Sequence, residues 1–320
     1  MTSSIRKLTL LATAAASAFL MTAPAHADVM ATSVVNFNNF TLSSGGSQLD
    51  YNKDFNFLTY TSSAGYTINL TGFAGQTASS TLPPVNLPAI CIGAGCNASL
   101  TTDNLFPHLI PPPNPGNYSA ADQMETGAPI LNVPGGFASP AQVQNGSFVG
   151  LTAGNAAGHS EATNNLNSSL IFKLKDASLG VKLDFDVDAY MQAFVSAGEL
   201  FPGFATASYQ IDFTLTNLSA GGAVVFTYSP DVFGNGSKTI SLNAPLPVDI
   251  NVVYDTLGNK SFSATTGALN NTDLYQLSAR VQTNTDAQRV VPEPGSLSLI
   301  GLALLGAGAA SRRLRSKKAA

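Results

Sequence analysis

The chain has 320 residues, 44% of them apolar and 11% charged, with 28 Gly, 18 Pro, 2 Cys and no Trp, which is enough for one large domain or two small ones. Its 15 Lys and Arg against 19 Asp and Glu give a formal charge of −4, which argues against the clustered basic face that nucleic acid requires. So few charges among many Ser, Thr, Asn and Gly residues also argue against a coiled coil and point to short strands joined by polar turns.

At the N-terminus, Arg6 and Lys7 precede an apolar run over residues 8–21, and Ala25-His26-Ala27 places small residues at the two positions that signal peptidase reads. This three-part layout is that of a secretory signal peptide over residues 1–27, with a short apolar helix and a mature chain that begins at Asp28. Period-two alternation of apolar and polar residues then marks candidate strands at 33–40, 49–60 and 66–73. Residues 77–147 break that rhythm with Pro83-Pro84, Pro88, Pro107, the run Pro111-Pro112-Pro113-Asn114-Pro115-Gly116, and Pro129, Pro134 and Pro140. Proline has no ladder donor, so this stretch reads as a long surface excursion, packed against the body by its scattered apolar residues rather than forming central strands. Inside it, Cys91-Ile92-Gly93-Ala94-Gly95-Cys96 carries an even pair of cysteines in an exported chain. That reads as a local disulfide between Cys91 and Cys96, closed by two glycines; two thiols with no nearby His do not make a zinc site.

Beyond the excursion, Gly158-His159-Ser160-Glu161-Ala162 passes near the Gly-x-Ser-x-Gly nucleophile elbow. It lacks the strand before and helix after that would strain such a turn, so a polar loop or strand edge is the expectation. His108, the other histidine of the exported body, reads as a loop residue. Further strands are expected at 169–174, 181–188, 211–216, 223–228, 238–242, 248–254, 260–264 and 274–281, with turns at Asn235-Gly236 and Leu257-Gly258-Asn259. Residues 192–200 come nearest to a helical period and would end at Phe201-Pro202-Gly203. Asp184, Asp186 and Asp188 alternate along one strand and share a face, about 6.5 Å apart. Calcium needs six to eight converging oxygens, so the expectation is a solvated strand face and no metal; were calcium bound, this ladder with Glu161 or Asp212 would be its place. Tyr51, Tyr60 and Tyr118 are the exposed aromatics on which a sugar ring could stack. Many short strands at roughly ten-residue spacing predict an all-β, antiparallel β-sandwich, jelly-roll-like, spanning residues 28–291.

The C-terminus reads Val290-Val291-Pro292-Glu293-Pro294-Gly295, then an apolar stretch, then a basic tail containing Arg312, Arg313, Arg315, Lys317 and Lys318. A helix over residues 295–311 would be about 25 Å long, a marginal transmembrane span for a core of about 30 Å. The basic tail would hold its end in the cytoplasm as a stop-transfer signal. Proline keeps the Pro292-Glu293-Pro294 triplet extended and open to a protease. Triplet, helix and basic tail, over residues 292–320, resemble the PEP-CTERM sorting signal of Gram-negative bacteria. The resemblance covers only about the last thirty residues. It implies export through the inner membrane, transient anchoring there, and cleavage by an exosortase that recognises Pro292, Glu293 and Pro294.

Removal of both ends would leave 18 acidic against 8 basic residues, a formal charge of about −10 on residues 28–291. The resemblance implies a surface or extracellular-matrix component, associated with exopolysaccharide or biofilm, that is not an enzyme and carries no cofactor. Its partners would be signal peptidase, exosortase and an exopolysaccharide. The competing expectations are a secreted carbohydrate- or calcium-binding module and a secreted hydrolase, which would need His159, with Ser160, or an acidic pair in a deep pocket.

Overall fold

The computed structural model describes residues 28–80, 85–135, 137–164, 169–197, 203–235, 238–244 and 248–290. The expected signal peptide over residues 1–27, Pro292-Glu293-Pro294, the apolar stretch 295–311 and the basic tail lie outside the described residues. In chain order the first elements are β1 (Val29–Ser44), β2 (Ser47–Gln48), the one-turn helix α1 (Tyr51–Asp54), β3 (Phe55–Tyr60), β4 (Ala64–Leu70), β5 (Gln76–Ser80) and β6 (Val85–Ile92). A second one-turn helix, α2 (Ala98–Thr101), precedes β7 (Tyr118–Thr126), β8 (Ala141–Leu151), β9 (Ala156–Asn164), β10 (Ser169–Leu174) and β11 (Lys182–Val195). The rest are β12 (Gly203–Asn217), β13 (Ala223–Tyr228), β14 (Thr239–Ala244), β15 (Ile250–Asp255), β16 (Lys260–Thr265) and β17 (Tyr275–Arg289).

These strands form two antiparallel sheets packed as a sandwich, as the period-two patterning predicts. The first runs β15-β11-β1-β8-β7-β6, with β16 also on β11 and β2 on β1. The second runs β13-β12-β17-β9-β4-β5, with β14 on β12, β10 on β17 and β3 on β10. One arrangement occurs three times: a long strand is flanked along one side by two short ones lying end to end. Thus β16 and β15 cover successive parts of β11, β14 and β13 of β12, and β10 and β9 of β17. The Leu257-Gly258-Asn259 turn is therefore no hairpin between paired strands. The chain leaves the edge of β11 there, with Leu257 at φ +55°, and rejoins the same edge.

The interior has two textures. One half is aromatic: Phe37 and Phe185 from the first sheet and Phe213 from the second have ring centroids 4.9 to 6.0 Å apart. Phe37 and Phe40 both reach this cluster, although odd spacing should put them on opposite faces. The register of β1 shifts between these two residues, and Asn39 takes φ +55° within the irregularity, so the inward parity changes from odd to even. The other half mixes Ala, Gly and Ser with Val, Leu and Met, and there hydroxyls and amides bond backbone carbonyls across the gap. Ser33 Oγ donates to Ser208 O at 2.7 Å, Ser119 Oγ to His159 O at 2.6 Å, and Asn145 Nδ2 to Val281 O at 2.8 Å.

Three expectations are corrected. Residues 49–60 are not one strand, because Asp50 Oδ1 caps α1 by accepting from Asn52 N at 2.8 Å and turns the chain before β3. Gln192 to Val195 complete β11 rather than start a helix; residues 198–202 lie outside the described ones. The largest correction concerns residues 77–147, which supply β6, β7 and most of β8, including two strands inside the first sheet. The prolines avoid the ladders: Pro88 lies in edge strand β6, where its register with β7 shifts, and the others described here lie between strands. Only the connection from β6 to β7 is an excursion, and it packs on the outer face of the first sheet. Leu100 and Phe106 bury there against Val34, Tyr118, Phe148 and Tyr190.

Candidate functional site

The outer face of the second sheet carries rows of polar side chains in register. Along β12 every second residue from Ala205 to Leu215 is buried in the core, so Phe204, Thr206, Gln210 and Asp212 face outward. Neighbouring strands continue these rows. Asn69 on β4, His159 on β9 and Asp286 on β17 lie side by side, and one step away Ala157 lies beside Gln288, with Phe204 beyond it.

Within this face is an open groove of about 480 Å³, lined by Asn69, Thr71, Phe73, His159, Phe204 and Asp286, among others. Its floor is low because Ala157 offers only a methyl between Thr71 and Gln288. One wall is made by the turn after β4, where Gly72 takes φ +85° and Phe73 N donates to Leu70 O at 3.0 Å. This leaves the Phe73 ring half exposed at the rim. The turn is tied to β9 by Thr71 N donating to Ala157 O at 2.9 Å and Ala157 N to Thr71 Oγ1 at 2.9 Å. Gly75 completes it, since a Cβ there would lie 2.1 Å from Asn69 Oδ1. Phe204 closes the far end.

His159 sits in the groove with Nδ1 2.8 Å from Asp286 Oδ1 and Nε2 4.0 Å from Glu161 Oε2. The hydrogen bond to Asp286 holds the imidazole above its ordinary value of 6.5, against the opposing effect of burial. The two carboxylates occupy opposite edges of the ring and cannot converge on one point. Among the described residues no group of three His, Cys, Asp or Glu side chains gathers to hold a metal. Glu161 is further engaged by Gln282 Nε2 at 2.6 Å, and Arg280 donates to Gln282 in turn.

The remaining sequence-derived candidates are dispersed. Ser160 points the other way from His159: it is buried between the sheets and its Oγ donates to Ala120 O at 2.5 Å. A nucleophile paired with His159 is therefore not assembled. Asp184, Asp186 and Asp188 do share the outer face of the first sheet, but each has its own partner. Lys182 Nζ is 2.7 Å from Asp184; Asn39 and Ser261 donate to Asp186 at 2.7 and 2.6 Å; Thr256 donates to Asp188 at 2.8 Å. Glu161 and Asp212 face outward from the other sheet, so they cannot join this ladder. Tyr118, expected to be exposed, is fully buried beneath the β6–β7 connection. Tyr60 is packed against the core and donates to buried Glu125 at 3.0 Å; Tyr51 is half exposed on α1. His108 stacks on Tyr190 with centroids 4.2 Å apart, which fixes the connection on the sheet. Cys91 and Cys96 form the expected disulfide there, closing one end of it.

Sequence reasoning missed the groove. Alternation alone ends a strand at Phe73 and says nothing of Phe204, because only the register of β9, β17 and β12 brings Phe204 into line with Thr71 and the turn that carries Phe73.

The fold and the C-terminus together define a class: an exported antiparallel β-sandwich with a terminal sorting signal. Residues 290–313 match the family model of the PEP-CTERM protein-sorting motif, so the chain is an exosortase-sorted, exported protein, anchored transiently in a membrane. No curated protein matches the chain. Among solved structures, a chain from the structure of infectious bursal disease virus Gx strain aligns at 12% identity over 87% of this chain and 88% of that one, with a TM-score of 0.10; at that score the likeness carries no argument. Among the described residues no helix is long and apolar enough to cross a membrane.

Proposed function

We propose that the mature protein is a non-enzymatic, structural component of the cell surface or extracellular matrix of a Gram-negative bacterium, associated with its exopolysaccharide. The observation that carries this reading is the sorting motif at residues 290–313 on a chain whose described body is one sandwich. Three features support it. Hydrogen bonds between the sheets tie the body together away from its aromatic cluster. The side chains that could have formed a hydrolytic site are separated, with His159 on an outer face and Ser160 in the interior. The charge of about −10 keeps an exported body soluble and apart from its copies.

The test is fractionation of the producing strain with intact-mass measurement. The expected species begins at Asp28, lacks everything beyond the Pro292-Glu293-Pro294 region, and co-sediments with extracellular polysaccharide. A full-length C-terminus retained in the inner membrane, in a strain that carries the protease, would overturn the reading.

A further inference from the structure

We propose that the groove between Phe73 and Phe204 binds a short run of an uncharged polysaccharide, with sugar rings against the two phenyl faces and hydroxyls on Asn69, Asp286 and Gln288. This deepens the matrix reading and rests on it, since it names what the exported body would hold.

A hexopyranose presents an apolar face of C–H bonds and a rim of hydroxyl groups. A receptor for it needs aromatic surface beside acceptors and donors held in fixed positions. Phe73 and Phe204 supply the surface. Phe204 ends the row Thr71, Ala157, Gln288, Phe204, three strand spacings or about 14 Å long at about 4.8 Å per spacing, and Phe73 stands on the turn that follows Thr71 at the other end. That is the length of a short oligosaccharide rather than of one ring. Between them, Asn69 and Gln288 each offer an amide, and Asp286 a carboxylate that forms the stronger, charge-assisted kind of hydrogen bond. Asp286 is held by His159 at 2.8 Å, and Asn69 stands in the space that Gly75 leaves open, so two of the three polar groups are set before a ligand arrives.

Charge decides between neutral and acidic glycans. Among the described residues no Lys or Arg lines the groove, and its acidic group belongs to a body of about −10. A uronate, sulfate or phosphate would meet Asp286 with only the His159 imidazole to offset it. An uncharged chain meets no such repulsion.

The experiment uses the exported protein recovered from the producer's medium, titrated by calorimetry and by chemical-shift perturbation. The probes are the hexasaccharides of glucose, mannose and galactose, with hexagalacturonate as the acidic counterpart. Saturable binding of at least one neutral hexasaccharide is expected, at least tenfold tighter than hexagalacturonate. Phe73→Ala removes a half-exposed ring, and Ala157→Met fills the floor from an exposed position, so both should melt as the parent does. Each should weaken binding at least tenfold. Binding to none of the neutral probes, equal binding of hexagalacturonate, or undiminished binding in both variants would overturn the proposal. Loss of glycan binding with the processed protein still found in the matrix would sink the groove assignment alone. A protein absent from the matrix that still binds glycan would sink the location instead.

Discussion

Ser160 and His159 are neighbours in sequence and stand on opposite sides of a sheet, because successive side chains of a strand point to opposite faces. Ser160 joins the two sheets through Ala120 O, and the backbone carbonyl of His159 accepts the matching bond from Ser119 in the reverse direction. Ser160→Ala should cost about 1 kcal/mol in a denaturant titration, the ordinary worth of one such bond, and leave the fold intact. Gly158→Val should cost more, about 1–3 kcal/mol by overpacking, because a Cβ at Gly158 already lies 2.6 Å from Val149 Cγ1. If the order of these two losses were reversed, the close approach of the sheets at this point would be wrong. The sequence carried the alternation of residues 156–164 but not the choice of interior face. Gly158, Ser160 and Ala162 face inward while Ala157, His159 and Glu161 face outward, and neither set is the apolar one by composition.

At the scale of elements, the strands that were legible are those with one apolar and one polar face. The long strands β11 and β12 showed this pattern, and the register of β1 with β11 follows from burying one of the two faces. Residues 77–147 were not legible as strands because a count of prolines says nothing about where they fall. Pro88 occupies an edge, and Pro129, Pro134 and Pro140 fill the connection between β7 and β8. What remains of the excursion, residues 93–117, is held by Leu100 and Phe106, by His108 on Tyr190, by Asn104 N donating to Asp122 Oδ2 at 2.6 Å, and by the disulfide at its start. Replacing both cysteines by serine releases a closed loop of about six residues, worth about 2 kcal/mol in the chain-entropy model. The effect should be local: amide exchange should rise across residues 93–117 while β1 and β11 keep their protection. Equal loss of protection throughout the first sheet would make the disulfide a support of the sandwich rather than of its cover.

For the whole molecule, two groups and the overall charge act in the same direction with pH. Burial beneath the cover raises Asp122 from 3.8 to about 6, although the backbone N–H groups of Asn104, Gln123 and Leu105 favour its ionised form. Between those values the folded chain binds a proton there that the unfolded chain has lost, so this group's contribution falls as pH rises through the window. His159 is raised by its bond to Asp286, so its contribution is complete below 6.5 and is lost as pH climbs through the higher folded value. At the acidic end the balance reverses. Hydrogen bonds from the Asn52 backbone to Asp50, from Asn39 to Asp186 and from Asn217 to Asp273 lower these carboxylates below 3.8. Their contribution is present above that value and disappears as pH falls through the folded ones. The melting temperature should therefore peak at mildly acidic pH, between about 4 and 6, and decline toward pH 8. Asp122→Asn should flatten the slope from 3.8 to about 6, and Asp286→Asn the slope above 6.5. Repulsion within a body of about −10 adds to the decline at higher pH, and salt separates it from the local causes: self-repulsion of exposed charge is screened within about 8 Å at physiological ionic strength, whereas the desolvation of Asp122 is not. Added salt should thus recover only part of the lost melting temperature in the parent and nearly all of it in the Asp122→Asn, Asp286→Asn double variant. A melting maximum at or above pH 8 would show that neither the cover over Asp122 nor the His159–Asp286 pair governs stability.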